Sequence, residues 1–283
     1  MTAITSTAYS RDLGDELRRL REKHSGLTGA AFAEQLGWDP SKVSNIEKGK
    51  ARASEIDLVQ YFMMCGRDTD QFETFRARYR HAFDTYVALV PDNLRTLAMA
   101  EAQAERITCY DVLSVPGLIQ TPEYARALLS GGRGTPEQIE RGYRSRMERQ
   151  AIMKRPYRPE CVFYVHELAL RLQVGDERVM EEQYLRMLFH THVLRVVPMS
   201  AGPAAIRMSA RMLFRFEKLV PVAYSETDLA RVFAHDGAAI ADSREFFKWL
   251  DSIALDEGQS RDVLTSCISG LRKDLHEPQA ELA

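Results

Sequence analysis

The 283-residue chain has only four cysteines, Cys65, Cys109, Cys161 and Cys267, and they lie far apart with no CxxC pair. Such spacing supplies neither a disulfide framework nor a zinc cluster, so reduced, buried thiols are expected. No apolar run approaches the roughly 18 residues of a membrane span, and no membrane segment is expected. The opening stretch MTAITSTAYS lacks both a basic region and an apolar one, which argues against a secretory leader. It reads as a flexible polar arm over residues 1–10 of a cytoplasmic protein. A net charge of −2 excludes a globally basic surface, so any contact with nucleic acid must come from a local patch.

Catalytic signatures are missing too. There is no GxSxG, no P-loop and no GxGxxG, and no enzyme or cofactor is expected. His166-Glu167 and His190-Thr-His192 suggest a metal, but they have no HExxH spacing. Two residues apart on a helix they face different ways; near a strand they could share a face, yet no third ligand is evident. His235-Asp236 sits on an apparent loop with no nucleophile placed to use it. No internal repeat or low-complexity segment occurs.

What is present is an ordinary globular composition, 45% hydrophobic and 28% charged, in a chain long enough for about two domains. LGDELRRLREKHSG predicts a helix with Leu13, Leu17 and Leu20 on one face. Thr28 can cap a second helix carrying Phe32, Ala33 and Leu36, ended by Gly37. Asp39-Pro40-Ser41 opens a third, with Val43 and Ile46 spaced for burial and Gly49 closing it. Ser54 can cap a fourth, EIDLVQYFMMCG, ending at Gly66. QFETFRARYRHAF and LRTLAMAEAQAER read as two more helices with Pro91 as a break. From about residue 106 the composition shifts: CVFYV (161–165), VLRVV (193–197), MLFRF (212–216) and VPVAYS (220–225) read as strands. Helices alternate with them at about 122–130, 136–153, 177–190, 242–255 and 258–274.

The predicted organisation is therefore an arm (1–10), a mainly α helix-turn-helix domain (11–66), a helical connector (67–105), an α+β domain with a small mixed sheet (106–275) and a tail (276–283). Small Ala33 lets a second helix axis cross close to the first, and Gly37 lets the chain turn sharply. Val43 and Ile46 pin the second helix, leaving Ser41, Lys42, Ser44, Asn45 and Lys48 on the opposite face. A plain helical hairpin with a solvated face would not need this spacing. Lys42, Lys48, Lys50 and Arg52 stand there against one acid, Glu47. Lys42 and Asn45 are assigned to base edges, with Ser41 and Ser44 as helpers. Lys48, Lys50 and Arg52 are assigned to phosphates. Glu47 would repel phosphates, so it is expected to turn inward and pair with Arg18 or Arg21.

GLTGAAFAEQLGWDPSKVSNIEKGK resembles the helix-turn-helix of the lambda-repressor-like, or XRE, family, over about residues 12–66. One departure is Gly29, where many members carry a glutamine that helps anchor DNA contacts. The resemblance implies a sequence-specific transcriptional regulator, most simply a repressor of double-stranded DNA. A single unit reads few base pairs, so a homodimer on a pseudo-palindrome is expected, with residues 106–275 dimerising, sensing a small partner protein, or both.

In the C-terminal half, TPEYARALLSGG has Thr121 as cap, Pro122 at the first position and Gly131 as stop, which needs no ligand. Residues 133–158 carry eight basic residues against three acidic ones, among them Arg141, Arg144, Arg146, Arg149, Lys154, Arg155 and Arg158. That is a solvated face, a surface for an acidic partner, or a second DNA-backbone contact. VPGLIQTPEYARALL, RSRMERQ, HELALR and VAYSE…EFFKWLDSIALDEGQS are similar, in order, to the C-terminal domain of actinobacterial antitoxin-like XRE regulators of the WhiJ type. The matching positions include Pro116, Gly117, Gln120, Tyr124, Arg146, Arg149, Gln150, Glu167, Tyr224 and Glu226. The resemblance implies a small partner protein encoded nearby, engaged by this domain through Arg146, Arg149, Gln150, Glu167, Tyr224 and Glu226. Segment 199–211, MSAGPAAIRMSAR, is less like the family pattern and would carry specificity. Two other readings stay open: an antitoxin-like neutraliser that binds DNA for autoregulation, and a sensor holding a small molecule in an apolar pocket of the α+β domain.

Overall fold

The computed structural model describes residues 5–89, 94–132, 134–206, 210–227 and 229–276. Helices α1 (Ala8–His24), α2 (Gly29–Leu36), α3 (Pro40–Glu47), α4 (Glu55–Met64) and α5 (Thr69–Tyr79) form the N-terminal domain. Strand β1 (Tyr86–Leu89) and helix α6 (Arg95–Gln103) follow, then β2 (Arg106–Asp111), α7 (Pro122–Ser130) and α8 (Pro136–Gln150). The chain continues through β3 (Glu160–His166), α9 (Glu167–Arg171), α10 (Glu177–Leu188), β4 (Leu194–Val197), β5 (Ala210–Arg215), β6 (Val222–Glu226), β7 (Arg231–Ala234), α11 (Gly237–Ile253) and α12 (Glu257–His276).

The strands make one seven-stranded sheet in the order β1-β7-β6-β5-β2-β3-β4. β2, β3 and β4 run parallel, and the remaining pairs are antiparallel. The α+β class is as expected, with a larger sheet than the four predicted strands. Alternation sorts the two faces. Ile107, Cys109, Phe163 and Phe214 face the main core, beneath α10 and α12. Tyr110 and Tyr164 face the other way, against Phe246, Phe247 and Leu250 of α11. The main core is continuous from Leu13 and Phe32 of the N-terminal domain to Phe214 and Tyr224 of the sheet.

Several expectations change. Residues 7–10 are not a free arm. Thr7 caps α1 through a reciprocal bond with Ser10, and Ala8, Tyr9 and Ser10 are buried. Residues 67–105 are not purely a helical connector, because β1 pairs with β7, Val87 opposite Phe233, at the sheet edge. α6 then packs against both α1 and α8, so the two domains share it. α11 starts at Gly237, earlier than predicted, because Asp236 caps it by accepting from the Ala239 N–H at 3.0 Å. Pro91 and residues 277–283 of the tail lie outside the described residues. So do residues 207–209 of the specificity segment, whose described part forms two short 3-10 turns, Met199–Ala201 and Pro203–Ala205, and the first two residues of β5.

Candidate nucleic-acid interface

The bend between α2 and α3 is built as its residues dictate. Thr28 caps α2, and Gly37 takes a left-handed φ of 67° that lets the Trp38 N–H return to the Ala33 carbonyl at 2.8 Å. Asp39 caps α3 by accepting from the Ser41 N–H at 2.7 Å, with Pro40 at the first helical position. Phe32, Ala33, Val43 and Ile46 are buried, and Leu36 packs against them.

Two glycines set how close α1 lies to α3. A Cβ on Gly14 would sit 2.5 Å from the Glu47 carbonyl, and one on Gly49, at φ 62°, 2.4 Å from the Ser10 backbone. The helices therefore cross at near backbone contact, and the Ser10 hydroxyl donates to the Gly49 carbonyl at 2.8 Å. The sequence pattern showed Gly49 only as a helix stop and did not show Gly14 at all.

Glu47 turns inward, as expected, and its partner is Arg21. The guanidinium donates to both carboxylate oxygens at 2.7 and 2.9 Å, and the Tyr61 hydroxyl lies 2.6 Å from Oε1. Both charged groups are buried. The pairing raises the Arg21 pKa, chiefly through the hydrogen bond to Glu47, while burial pushes the Tyr61 phenol up. The one acid on α3 is thereby removed from its outer face.

That face shows Ser41, Asn45, Lys48 and Lys50 exposed, with Ser44 partly buried. Among the described residues, Lys48 and Lys50 have no ion-pair partner. Lys42 differs from the expected free cation. Its ammonium lies 2.6 Å from Asp57 of α4 and 4.1 Å from the Trp38 ring centroid. Arg52 stacks its guanidinium 5.1 Å from the centroid of Phe83. Gly29 leaves the start of α2 without a side chain, at the edge of a groove of about 590 Å³. Ser44 and Lys48 line this groove from one side, and Met99, Gln103 and Leu219 line it from the C-terminal side.

The basic stretch 133–158 divides by face. Arg141, Arg144, Lys154, Arg155 and Arg158 are exposed, whereas Arg146 and Arg149 turn inward; residue 133 lies outside the described set. The structure brings Arg146, Arg149, Tyr224 and Glu226 together around one cavity, with Pro116, Gly117 and Gln120 at its rim. Gln150 braces that rim from behind, donating to the Gly117 and Gln120 carbonyls at 2.8 and 2.9 Å. Tyr124 is buried and its hydroxyl accepts from the Val115 N–H at 3.3 Å. Glu167 lies elsewhere, at the end of β3, where it accepts from Arg171 and from the Met199 N–H.

The histidine pairs do structural work. His166 Nδ1 accepts from the Leu168 N–H at 3.1 Å, and His190 Nδ1 lies 2.8 Å from the Arg186 carbonyl. Among the described residues no three His, Cys, Asp or Glu side chains group to hold a metal, and no helix is long and apolar enough to cross a membrane.

A family model described as a helix-turn-helix domain matches residues 12–75, and one described as a domain of unknown function, DUF5753, matches residues 94–266. No curated protein and no solved structure matches the chain. The helix-turn-helix match supports a DNA-binding regulator.

Proposed function

Because the chain belongs to the DUF5753 family and carries a helix-turn-helix domain ahead of that region, we propose that it is a sequence-specific, non-enzymatic transcriptional repressor acting in the cytoplasm. The observation that carries this reading is the division of charge on α3. Its only carboxylate is buried against Arg21, while Asn45, Ser41, Lys48 and Lys50 stay exposed on one face. Serine and asparagine can read base edges, and the lysines can meet phosphates. Lys42 reaches a base only by leaving Asp57, so Asn45 takes the leading base contact. Arg52 serves phosphate from beside Phe83.

The working unit is a homodimer on half-sites about one helical turn (~34 Å) apart. Support comes from α4, where Ile56, Val59 and Met63 make an exposed apolar stripe with helical spacing. The C-terminal domain engages a small partner protein in the manner of WhiJ-type regulators. A partner that prefers the conformation with misplaced recognition helices releases DNA by population shift.

The test is titration of the purified chain onto its own promoter fragment and a scrambled duplex, at several salt concentrations. Promoter preference that disappears when Ser41 and Asn45 are both changed to alanine is the expected result. Weak binding that is equal for both duplexes would overturn the reading. Sedimentation of wild type and Met63→Asp tests the dimer: a shift to monomer in the variant is expected, and an unchanged mass removes α4 from the interface.

A further inference from the structure

A cavity of about 540 Å³ opens between the main-core face of the sheet and α8, away from the recognition helix. Its volume lies in the range of about 300–1,000 Å³ usual for small-molecule sites. One wall is apolar, made by Leu97, Leu118, Leu128, Phe163 and Met212. The other carries Asp111, Gln120, Arg146, Tyr224 and Glu226.

Charge bookkeeping separates the structural pairs from the unmatched groups. Arg149 is satisfied by Glu101, with two bonds of 2.7 Å to a carboxylate that has no exposure. Glu226 accepts from Arg231 at 2.6 Å and from the Tyr224 hydroxyl at 2.9 Å. Two groups remain. Arg146 donates at 2.7 Å to a neutral acceptor, the Gln120 amide oxygen, and no described carboxylate lies within ion-pair distance of it. Asp111 accepts from the Cys109 thiol at 3.3 Å, and no described cation pairs with it. Burial lowers the Arg146 pKa and, with the nearby Glu226, pushes the Asp111 carboxyl up to about 6. A guanidinium bonded only to a neutral amide and a carboxyl bonded only to a thiol, acting on each other at longer range across one cavity, are costly for the fold alone, and they match a ligand that supplies a carboxylate to one and a donor to the other.

We propose that this cavity binds a small amphipathic organic acid: a carboxylate on Arg146, a hydroxyl or amino donor on Asp111, and an apolar body against Leu118, Leu128 and Met212. Helix α6 forms part of the wall and reports occupancy to the DNA-binding domain. It gives Leu97 and Glu101 to the cavity and Met99 and Gln103 to the groove beside α3. It also grips α1: Arg95 and Thr96 bond Asp12 at 2.9 and 2.6 Å, and Arg11 donates to Gln103 at 2.8 Å. Occupancy therefore changes DNA affinity, and DNA changes ligand affinity by the same factor. This second step rests on the proposed DNA-binding function; the binding step does not.

The test uses the full chain with L-leucine, L-phenylalanine, L-tryptophan, phenyllactate and 3-hydroxyoctanoate, with phenethylamine and 3-phenylpropionate as controls lacking the carboxylate or the donor. Calorimetry and thermal unfolding are read for wild type, Arg146→Gln and Asp111→Asn. At least one acid bearing a donor is expected to bind one per chain and raise the unfolding midpoint. Its affinity should fall tenfold or more in Arg146→Gln, and in Asp111→Asn should approach that of the acid lacking a donor. Asp111→Asn keeps the side-chain shape while removing the charge and exchanging one acceptor oxygen for an NH2 donor, so it keeps the test open if Arg146→Gln folds poorly. Absence of any wild-type response, or affinity in both variants unchanged from wild type, overturns the site. With a binding acid in hand, promoter titrations are repeated at saturation. A several-fold change in affinity is expected, and unchanged affinity overturns the coupling through α6. Binding of the acid by a chain that shows no promoter preference would sink the repressor reading and leave the cavity standing.

Discussion

At the scale of single residues, Glu47 decides the electrostatics of the recognition helix. Its carboxylate is held by a two-pronged guanidinium and a phenol in a buried site. Removing one member of such a pair leaves the other charge buried and unmatched, a cost of about 3–5 kcal/mol. Glu47→Ala is expected to lose that much in urea unfolding, and Arg21→Met should recover a large part of it in the double variant. Purely additive losses would show that the two groups are not coupled. Asn45 has the opposite character, exposed and with its side-chain amide available. Asn45→Ala should cost about 1–3 kcal/mol on the promoter and relax one position of the site. Lys50→Ala should weaken all duplexes alike and lower the salt slope by about one unit. If Asn45→Ala weakens promoter and scrambled DNA equally, its base-reading role fails. The inward turn of Glu47 was legible, because a lone acid in a basic face has an electrostatic reason to leave it. The capture of Lys42 by Asp57 was not, because it depends on where α4 is docked, 15 residues along the chain.

At the scale of elements, what was legible is what local chemistry decides. Thr121, Pro122 and the stop at Gly131 place α7 at residues 122–130, as predicted, because cap, first position and terminator all act within one helix. β1, β2 and β7 were missed for the converse reason. They are four to six residues long, and β1 finds its partner β7 about 145 positions later in the chain, so their stability comes from register and not from propensity. In β2 the alternation Ile107-Thr108-Cys109-Tyr110 is masked because both faces are covered. The cavity is likewise non-local, since α6, α8, β2, β5, β6 and the rim at residues 112–120 all contribute to it. Of its polar residues, Arg146 and Arg149 stood out in the basic stretch, Gln120, Tyr224 and Glu226 only through family resemblance, and Asp111 and Glu101 not at all. The α1–α3 crossing shows how strict such a contact becomes. A methyl group on Gly14 meets backbone at 2.5 to 2.8 Å, which no rotamer change relieves. Gly14→Ala should therefore destabilise the chain by roughly 1–3 kcal/mol or more and weaken promoter binding by tilting α3. Retention of full stability and affinity would mean that α1 shifts freely.

At the scale of the whole molecule, α1 is the strut that both domains hold. Its acidic side chains Asp12, Asp15 and Glu16 pair with Arg78 and Arg95, the first two in buried positions, and its first turn meets His235 of the sheet. His235 Nε2 accepts the Ala8 N–H at 2.9 Å, so the imidazole must be neutral to make the bond. Burial first, and then the nearby Arg11 guanidinium, push its pKa from 6.5 down to about 4. Between those values the unfolded chain binds more protons than the folded one, so stability rises with pH. The contribution, roughly 3 kcal/mol, is fully present above pH 6.5 and is lost as pH falls towards 4. Asp111 acts in the opposite sense. Its pKa is raised from 3.8 to about 6, so its ionisation costs stability as pH climbs through that window. The two effects partly cancel in the wild type, and a single pH profile cannot separate them. His235→Gln keeps a hydrogen-bond acceptor and removes only the titration, whereas Asp111→Asn removes the opposing one. Urea midpoints at pH 4.5, 5.5 and 7 should fall less steeply towards acid in His235→Gln than in wild type, and more steeply in Asp111→Asn. Parallel profiles for wild type and His235→Gln would show that protonation of this imidazole does not loosen the junction through which the sheet holds the DNA-binding domain.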